Sequence, residues 1–454
     1  MVSMAGMAPG VYVQEVPSAD KPIAGVGTST AGFIGYFSDT ISAEEVGTGD
    51  GTKTTFDLKN YPVTTDAGSF AIKVATSVVS GHLTSDSAQK RAWATLDTAP
   101  TSSNKITVDY KVPYYDDPTL AAKPGEVKLC TNYTEFTKYF GDFSTVDGQR
   151  MLAHAVYGFF NNGGTRCFVV RIGGTTDLDA ALTKFAAIDE IAIVAVPGNV
   201  ESAVRTKVTT HCGLLQDRFA IFDSKVDDAL SGITAPDSTT YAAFYFPWLS
   251  VFDPLVKAKY PKGDGTLLVP PSGHIAGIYA RVDTNRGVHK APANEVVLGA
   301  MGLGVGVSKN DQGAANEKGI NCIRSLNGNI LVWGGRTLAG PNDADLKYIN
   351  VRRLLLFLRK SIDHGTQWVV FEPNSPALWQ KIKRNITAFL TNVWRDGALF
   401  GDTAQQAFYV RCDAETNPPE LRDLGQVVTE IGVAIVRPAE FVIFRISQWA
   451  GPAA

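Results

Sequence analysis

The chain has 454 residues, 44% of them hydrophobic and 19% charged, with a formal net charge of −3. That length exceeds one ordinary domain and predicts two to four, each with its own apolar core. The near-neutral balance excludes the basic footprint of a dedicated nucleic-acid binder, and no apolar run reaches the roughly 20 residues that span a bilayer.

Met1–Gly10 carries neither the basic nor the apolar segment of a secretory signal. Five cysteines (Cys130, Cys167, Cys212, Cys322 and Cys412) stand far apart in the sequence. An odd, unpaired set reads as reduced thiols in a cytoplasmic product.

The run GVYVQEV (10–16) has the composition of a short strand. The stretch that follows, PSADKPIAGVGTST, is a Pro/Gly/Ser/Thr connector. A single strand on a tether is unstable alone and has to pair with a sheet, its own chain's or another's. Ala31–Tyr36 opens the main body. From about Glu44 to Asp116, short alternating runs (TTFDL, SFAIKVATSVV, RAWATL, KITVDYKV) are separated by turn clusters, which predicts an inserted antiparallel β module.

Beyond it, non-alternating apolar runs CFVVRI (167–172), IAIVAV (191–196), FAIFD (219–223) and YAAFYF (241–246) predict strands covered on both faces. Helical segments Met151–Phe160, Leu178–Ala187 and Val200–Leu215 lie between them, giving a largely parallel α/β layer. Toward the end come a strand at 330–335, a helix over 343–364 stopped by Gly365, and a strand at 367–372. A second helix follows over 375–396, then strands at 431–436 and 440–447 about Pro438. The fold class is therefore multi-domain α/β (α+β), with a small antiparallel β domain inserted.

Catalytic signatures are missing. No GxxxxGK[ST] occurs, and the Gly-rich MGLGVGV (301–307) lacks the GxGxxG spacing. The six histidines are scattered, without HExxH, and no GxSxG elbow is present. His211 and Cys212 adjoin, but neighbours on a helix point in different directions. The expectation is no catalytic residue, no metal site and no cofactor.

The segments PGVYVQEV (9–16), GVGTSTAGFIGY (25–36), FFNNGGTRCFVVRI (159–172), VPPSGHIAGIYARVDTNRGVHKAPAN (269–294), GINCIRSLNGNILVWGGRTL (319–338), KYINVRRLLLFLRKSI (347–362), QWVVFEPNSPALW (367–379) and AEFVIFRISQ (439–448) follow one another along the chain. In this order they strongly resemble the phage tail sheath family. The resemblance covers nearly everything except the inserted module. It implies a mixed α/β core completed by N- and C-terminal arm strands, a six-fold helical homopolymer around an inner tube protein, and baseplate and terminal cap proteins as further partners. It implies neither nucleic-acid binding nor direct membrane insertion. The particle would be built in the bacterial cytoplasm and belong to a phage tail, a bacteriocin or an extracellular injection system.

On that basis the chain divides into an arm and linker (1–30), the start of the core (31–43), the inserted β domain (44–116), an α/β domain (117–318) and a polymerisation and tube-contacting domain (319–454). Val11, Tyr12, Val13, Gln14 and Glu15, with Phe441, Val442, Ile443, Phe444 and Arg445, are the expected arm strands. They would be donated to neighbours by β-augmentation or, alternatively, paired within their own chain.

On the 375–396 helix, 100° per residue gathers Leu378, Trp379, Ile382, Ile386, Phe389, Leu390 and Val393 on one face. Arg384 and Arg395 lie opposite, with Lys381 and Lys383 on the flanks. These four basic residues are the candidate inner-tube contact, a solvated face being the alternative. A non-contractile phage structural protein and an α/β enzyme with an unrecognised site are the competing functional readings.

Overall fold

The computed structural model describes residues 22–37, 40–89, 91–101, 103–112 and 120–443. Within these, residues 26–359 and 436–443 form one compact unit, and residues 22–25 and 360–435 form another. Residue 319 is thus no boundary: Ile320–Leu326 and Asn329–Val332 belong to the main sheet of the larger unit.

Among the described residues that sheet has nine strands. Ala31–Tyr36 lies parallel between Cys167–Ile172 and Ile193–Ala195. Phe219–Asp223, Ala242–Phe246 and Ile320–Leu326 continue the parallel order. Lys128–Cys130 closes one edge antiparallel, while Asn329–Val332 and then Glu295–Val296 close the other. Phe219–Asp223 and Ala242–Phe246 are buried at every residue, which is why their sequences do not alternate.

In chain order the helices of six residues or more among the described residues are α1 (Tyr133–Phe140), α2 (Asp147–Asn161), α3 (Leu178–Ala186), α4 (Ser202–Leu215), α5 (Pro254–Lys259), α6 (Ser272–Arg286), α7 (Lys309–Glu317), α8 (Ile349–Thr366) and α9 (Pro376–Arg395). One face of the sheet packs Phe33, Val169 and Tyr245 against Leu152 and Phe159 of α2 and Ile278 and Tyr279 of α6. The other packs Ile34, Val170 and Phe244 against Leu182 and Phe185 of α3 and Val204 and Val208 of α4. Each such side chain contributes about 1.5–3 kcal/mol by leaving water. Helices α2 and α6 approach closely because α6 presents glycine. A Cβ on Gly277 would sit 2.4 Å from the Phe159 carbonyl, and one on Gly273 2.2 Å from that of Ala155.

The inserted module holds two sheets, one built around Lys105–Lys111 and one around Arg91–Leu96. Its first strand is Thr40–Thr48, earlier than position 44. Buried and exposed positions alternate along Lys105–Lys111 and enclose Phe56, Ile72, Leu83, Ile106 and Val108. Val146, just ahead of α2, packs into the same core.

Three expectations near the end are corrected. Helix α8 starts at Ile349 after a 3₁₀ turn over Pro341–Leu346, and it runs through Gly365 to Thr366. Gly365 is there for contact: a Cβ would lie 2.6 Å from Ile23 Cγ1. The run at 367–372 is a 3₁₀ turn over Gln367–Val369 instead of a strand, and Phe371 takes a φ of 68°, which no strand accommodates. The strand near 431–436 is Glu430–Val433, paired antiparallel with Phe408–Arg411.

Candidate functional site

The two chain ends are rooted by different devices. Val11, Tyr12, Val13, Gln14 and Glu15 lie outside the described residues, but the connector behind them is held. Thr28 donates its hydroxyl to Asp283 Oδ2 at 2.6 Å, and its carbonyl accepts from Arg353 Nη2 at 2.9 Å. Arg353 also donates from Nη1 and Nη2 to both Asp283 oxygens, at 2.8 and 2.6 Å. The guanidinium stands 4.6 Å from the Tyr279 ring centre. Burial disfavours its charge, but Asp283 more than offsets that and holds Arg353 protonated. Helices α6 and α8 are thus tied to the residues entering Ala31–Tyr36.

At the other end, residues 436–440 lie along the larger unit. Asn350 Nδ2 donates to the Val436 carbonyl at 3.2 Å, and Arg437 pairs with Asp345 at an exposed surface. Glu440 is gripped harder. It accepts from Arg336 Nε and Nη2 at 2.7 Å each, from Asn316 Nδ2 at 2.6 Å and from the Tyr348 hydroxyl at 3.0 Å. Burial would raise the Glu440 pKa, but these donors outweigh it and hold the carboxyl below the usual glutamate range.

One residue later the chain is bare: Phe441, Val442 and Ile443 are 72%, 68% and 80% exposed and belong to no strand. Phe444 and Arg445 lie outside the described residues. An apolar run with no partner is one that needs a surface to cover it.

The smaller unit offers a short sheet. Phe408–Arg411 and Glu430–Val433 pair over four residues, and neither meets a third strand among the described residues. A lone two-stranded sheet is marginal in water. The Phe408–Arg411 strand went unread in the sequence because FYVR is too short for a period to register.

In the same unit, α9 begins at Pro376 with Ser375 as its cap, the Ser375 hydroxyl accepting from Leu378 N. Leu378, Trp379, Ile382, Ile386, Phe389, Leu390 and Val393 are all buried, with Asn385 beside them. Lys381, Lys383, Arg384 and Arg395 are exposed, and no Asp or Glu occurs in the helix. Lys381, Lys383 and Arg395 form no ion pair among the described residues. The four thus make a basic strip.

Catalytic geometry is a different matter. His154 Nε2 lies 2.9 Å from Asp253 Oδ2, with both residues buried. Asp253 Oδ1, however, caps α5 through Leu255 N and Val256 N, so the pair closes a helix end. Asp223 accepts from Ser272 N and Oγ and from Gly198 N, and burial pushes it up to about 6. Among the described residues no imidazole bonds to Ser272. Cys212 is fully buried and its thiol is pushed up to about 12, while burial drives His211 down to about 4. The start of MGLGVGV, Met301–Leu303, belongs to the strand Ala300–Leu303, which pairs with Leu249–Phe252 and is not a phosphate loop.

Cys130 and Cys167, distant in sequence, face each other across an antiparallel pair, and all five cysteines are free and buried. An open cleft of about 810 Å3, lined among others by Asp57, Tyr61, Arg91 and Tyr260, contains neither His nor Cys. Among the described residues no group of three His, Cys, Asp or Glu side chains is placed to hold a metal, and no helix is long and apolar enough to cross a membrane.

Comparison with known proteins covers the same regions. The family models for the phage tail sheath protein central domain and C-terminal domain match residues 173–338 and 342–448. The tail sheath protein of Vibrio phage KVP40 is 30% identical over 211 residues, 46% of this chain and 29% of that protein. That of Burkholderia phage BcepMu is 26% identical over 208 residues, 44% of this chain and 41% of its own length. The chain thus spans less than half of these two relatives. In structure, the helical sheath of the anti-feeding prophage in its contracted state aligns over 97% of this chain and 99% of its own, with a TM-score of 0.64 and 25% identity.

Proposed function

Because the chain belongs to the phage tail sheath family, we propose that it is the sheath subunit of a contractile, phage-tail-like injection particle. It polymerises with six-fold helical symmetry around an inner tube and contracts to drive that tube through a target membrane. Its role is mechanical, not enzymatic. Baseplate and terminal cap proteins close the two ends of the polymer, which is assembled in the bacterial cytoplasm.

One observation supports this above the rest. Among the described residues, the apolar segment Phe441–Ile443 belongs to no strand, and the sheet of Phe408–Arg411 and Glu430–Val433 meets no third strand. Donation of Phe441–Arg445, and of Val11–Glu15 from the other end, to the sheet of a neighbouring copy satisfies both. An added strand of about five residues makes several backbone hydrogen bonds, each worth roughly 1 kcal/mol net. Burial of its apolar side chains adds to that. Such links bend without breaking, so subunits rotate and slide while the lattice stays whole. The stroke draws on inter-subunit contacts left unmade at assembly and needs no nucleotide, in keeping with the missing phosphate loop.

The basic strip Lys381, Lys383, Arg384 and Arg395 faces an acidic inner tube in the extended state. Concentrated, purified full-length chain examined by negative-stain microscopy tests the reading: ribbed tubes or cogwheel rings are expected. A small discrete oligomer at every concentration would refute it.

A further inference from the structure

Of the two ion pairs that hold residues 436–440, the one next to the exposed segment is the better shielded. Glu440 is 19% exposed and Arg336 11%, so the pair is shielded far more than Arg437 and Asp345, at 58% and 91%. Exposed pairs of the latter kind contribute little, whereas a fork-to-fork pair with further neutral donors is both stronger and directional.

Arg336 is itself immobilised. Its backbone N donates to Asn321 Oδ1, and its carbonyl accepts from Asn321 Nδ2, both at 2.7 Å. Asn321 sits in the main sheet and also donates to the Phe244 carbonyl. The third guanidinium nitrogen, Nη1, donates to the Asn316 carbonyl at 2.8 Å. Every nitrogen of the guanidinium is therefore occupied, and the carboxylate it grips is referenced to the central strands.

We propose that Arg336, with Asn316 and Tyr348, is a positioning latch that fixes where and in what direction the C-terminal arm leaves the subunit. The partner it serves is a second copy of this chain. The proposal rests on the arm-donation reading above. A strand can find its acceptor efficiently only if its take-off point is fixed, because effective concentration falls as the tether lengthens and loses direction. With the latch open, the tether begins several residues earlier, where Val436 and Arg437 are held by one hydrogen bond from Asn350 and an exposed ion pair. The same latch returns the pull of the neighbouring subunit to the main sheet when the lattice moves.

Full-length Glu440→Ala, Glu440→Gln and Val442→Pro variants test this against the parent chain. Two readouts are needed: the concentration at which half the chain pellets as polymer, and the melting temperature of the unassembled subunit. Glu440→Ala is expected to raise the half-polymer concentration by roughly ten-fold or more, with the subunit melting temperature essentially unchanged. Glu440→Gln, which is isosteric but turns an amide group toward the guanidinium, is expected to behave like the alanine variant. A purely space-filling tail would tolerate it. Val442→Pro keeps the latch but removes a ladder donor, and is expected to block polymerisation.

If both Glu440 variants polymerise like the parent while Val442→Pro does not, the latch is wrong and arm donation stands. Parent-like polymerisation of Val442→Pro overturns arm donation and the latch together. A large fall in subunit melting temperature for Glu440→Gln also overturns the latch, because the pair would then be holding the fold.

Discussion

Replacing Asp283 by Ala removes a carboxylate that accepts from Arg353 at 2.8 and 2.6 Å and from Thr28 at 2.6 Å. Arg353 and Asp283 are only 4% and 5% exposed, so the guanidinium left behind cannot recruit bulk water. Removing one partner of a buried ion pair costs about 3–5 kcal/mol. At about 2.1 cal/mol/K per residue, a unit of roughly 350 residues has an unfolding entropy near ~0.7 kcal/mol/K, so the loss lowers its Tm by about 4–7 °C. The double change Asp283→Leu with Arg353→Met removes both charges and keeps the volume filled. It is expected to recover most of that loss, because the penalty lies in the stranded charge. Scanning calorimetry of the unassembled full-length chain measures both, at a concentration low enough that polymer does not stabilise the subunit. A shift under about 1 °C for Asp283→Ala, or a double variant less stable than the single one, would refute the assignment of this pair as the tie between the N-terminal connector, α6 and α8.

Three further outcomes are expected. Neutralising Lys381, Lys383 and Arg384 together should leave the subunit's stability within about 0.5 kcal/mol, since the positions are exposed, yet abolish extended assembly on the inner tube; normal extended particles would remove the proposed contact. His274 is buried beside His154, and burial drives its pKa down to about 3. The unfolded chain therefore binds a proton that the folded chain refuses, so stability falls as pH drops below about 6.5, by about 2 kcal/mol at pH 5. A His274→Gln variant should lose that part of the acid dependence, and an unchanged slope in urea unfolding would contradict it. Gly277→Ala should destabilise by about 1–3 kcal/mol despite alanine's better helix propensity, because its methyl meets the Phe159 carbonyl; a stabilised variant would mean that α2 and α6 can part freely.

What could be read from the sequence follows from how each element is buried. CFVVRI, FAIFD and YAAFYF announced a two-faced sheet because nothing in them is polar on alternate positions. The α9 stripe was legible because twenty residues hold one period. Contrast QWVVFE, whose β-branched and aromatic residues match a strand in composition, while Gly365 is read as a stop. In the fold that glycine makes room for Ile23, a contact between distant parts of the chain that no local pattern carries. The grips on Thr28 and Glu440 were invisible for the same reason. Each joins residues far apart in the chain, and an Arg or an Asp gives no local sign of which partner it will meet. Cys130 and Cys167 likewise meet only through strand register.

The central place of Ala31–Tyr36 has a consequence for biosynthesis. This strand cannot be sheltered in the sheet until Cys167–Ile172 and Ile193–Ala195, its two flanking strands, have also left the ribosome. At typical translation speeds that interval is on the order of ten seconds. Throughout it, Phe33 and Ile34 have no sheet to join, while the β module encoded in between completes its strands by Lys111 and is free to close first. Nascent chains would therefore carry a finished bead between two halves of an unfinished sheet, a stage at which unpaired strand edges are most prone to aggregate.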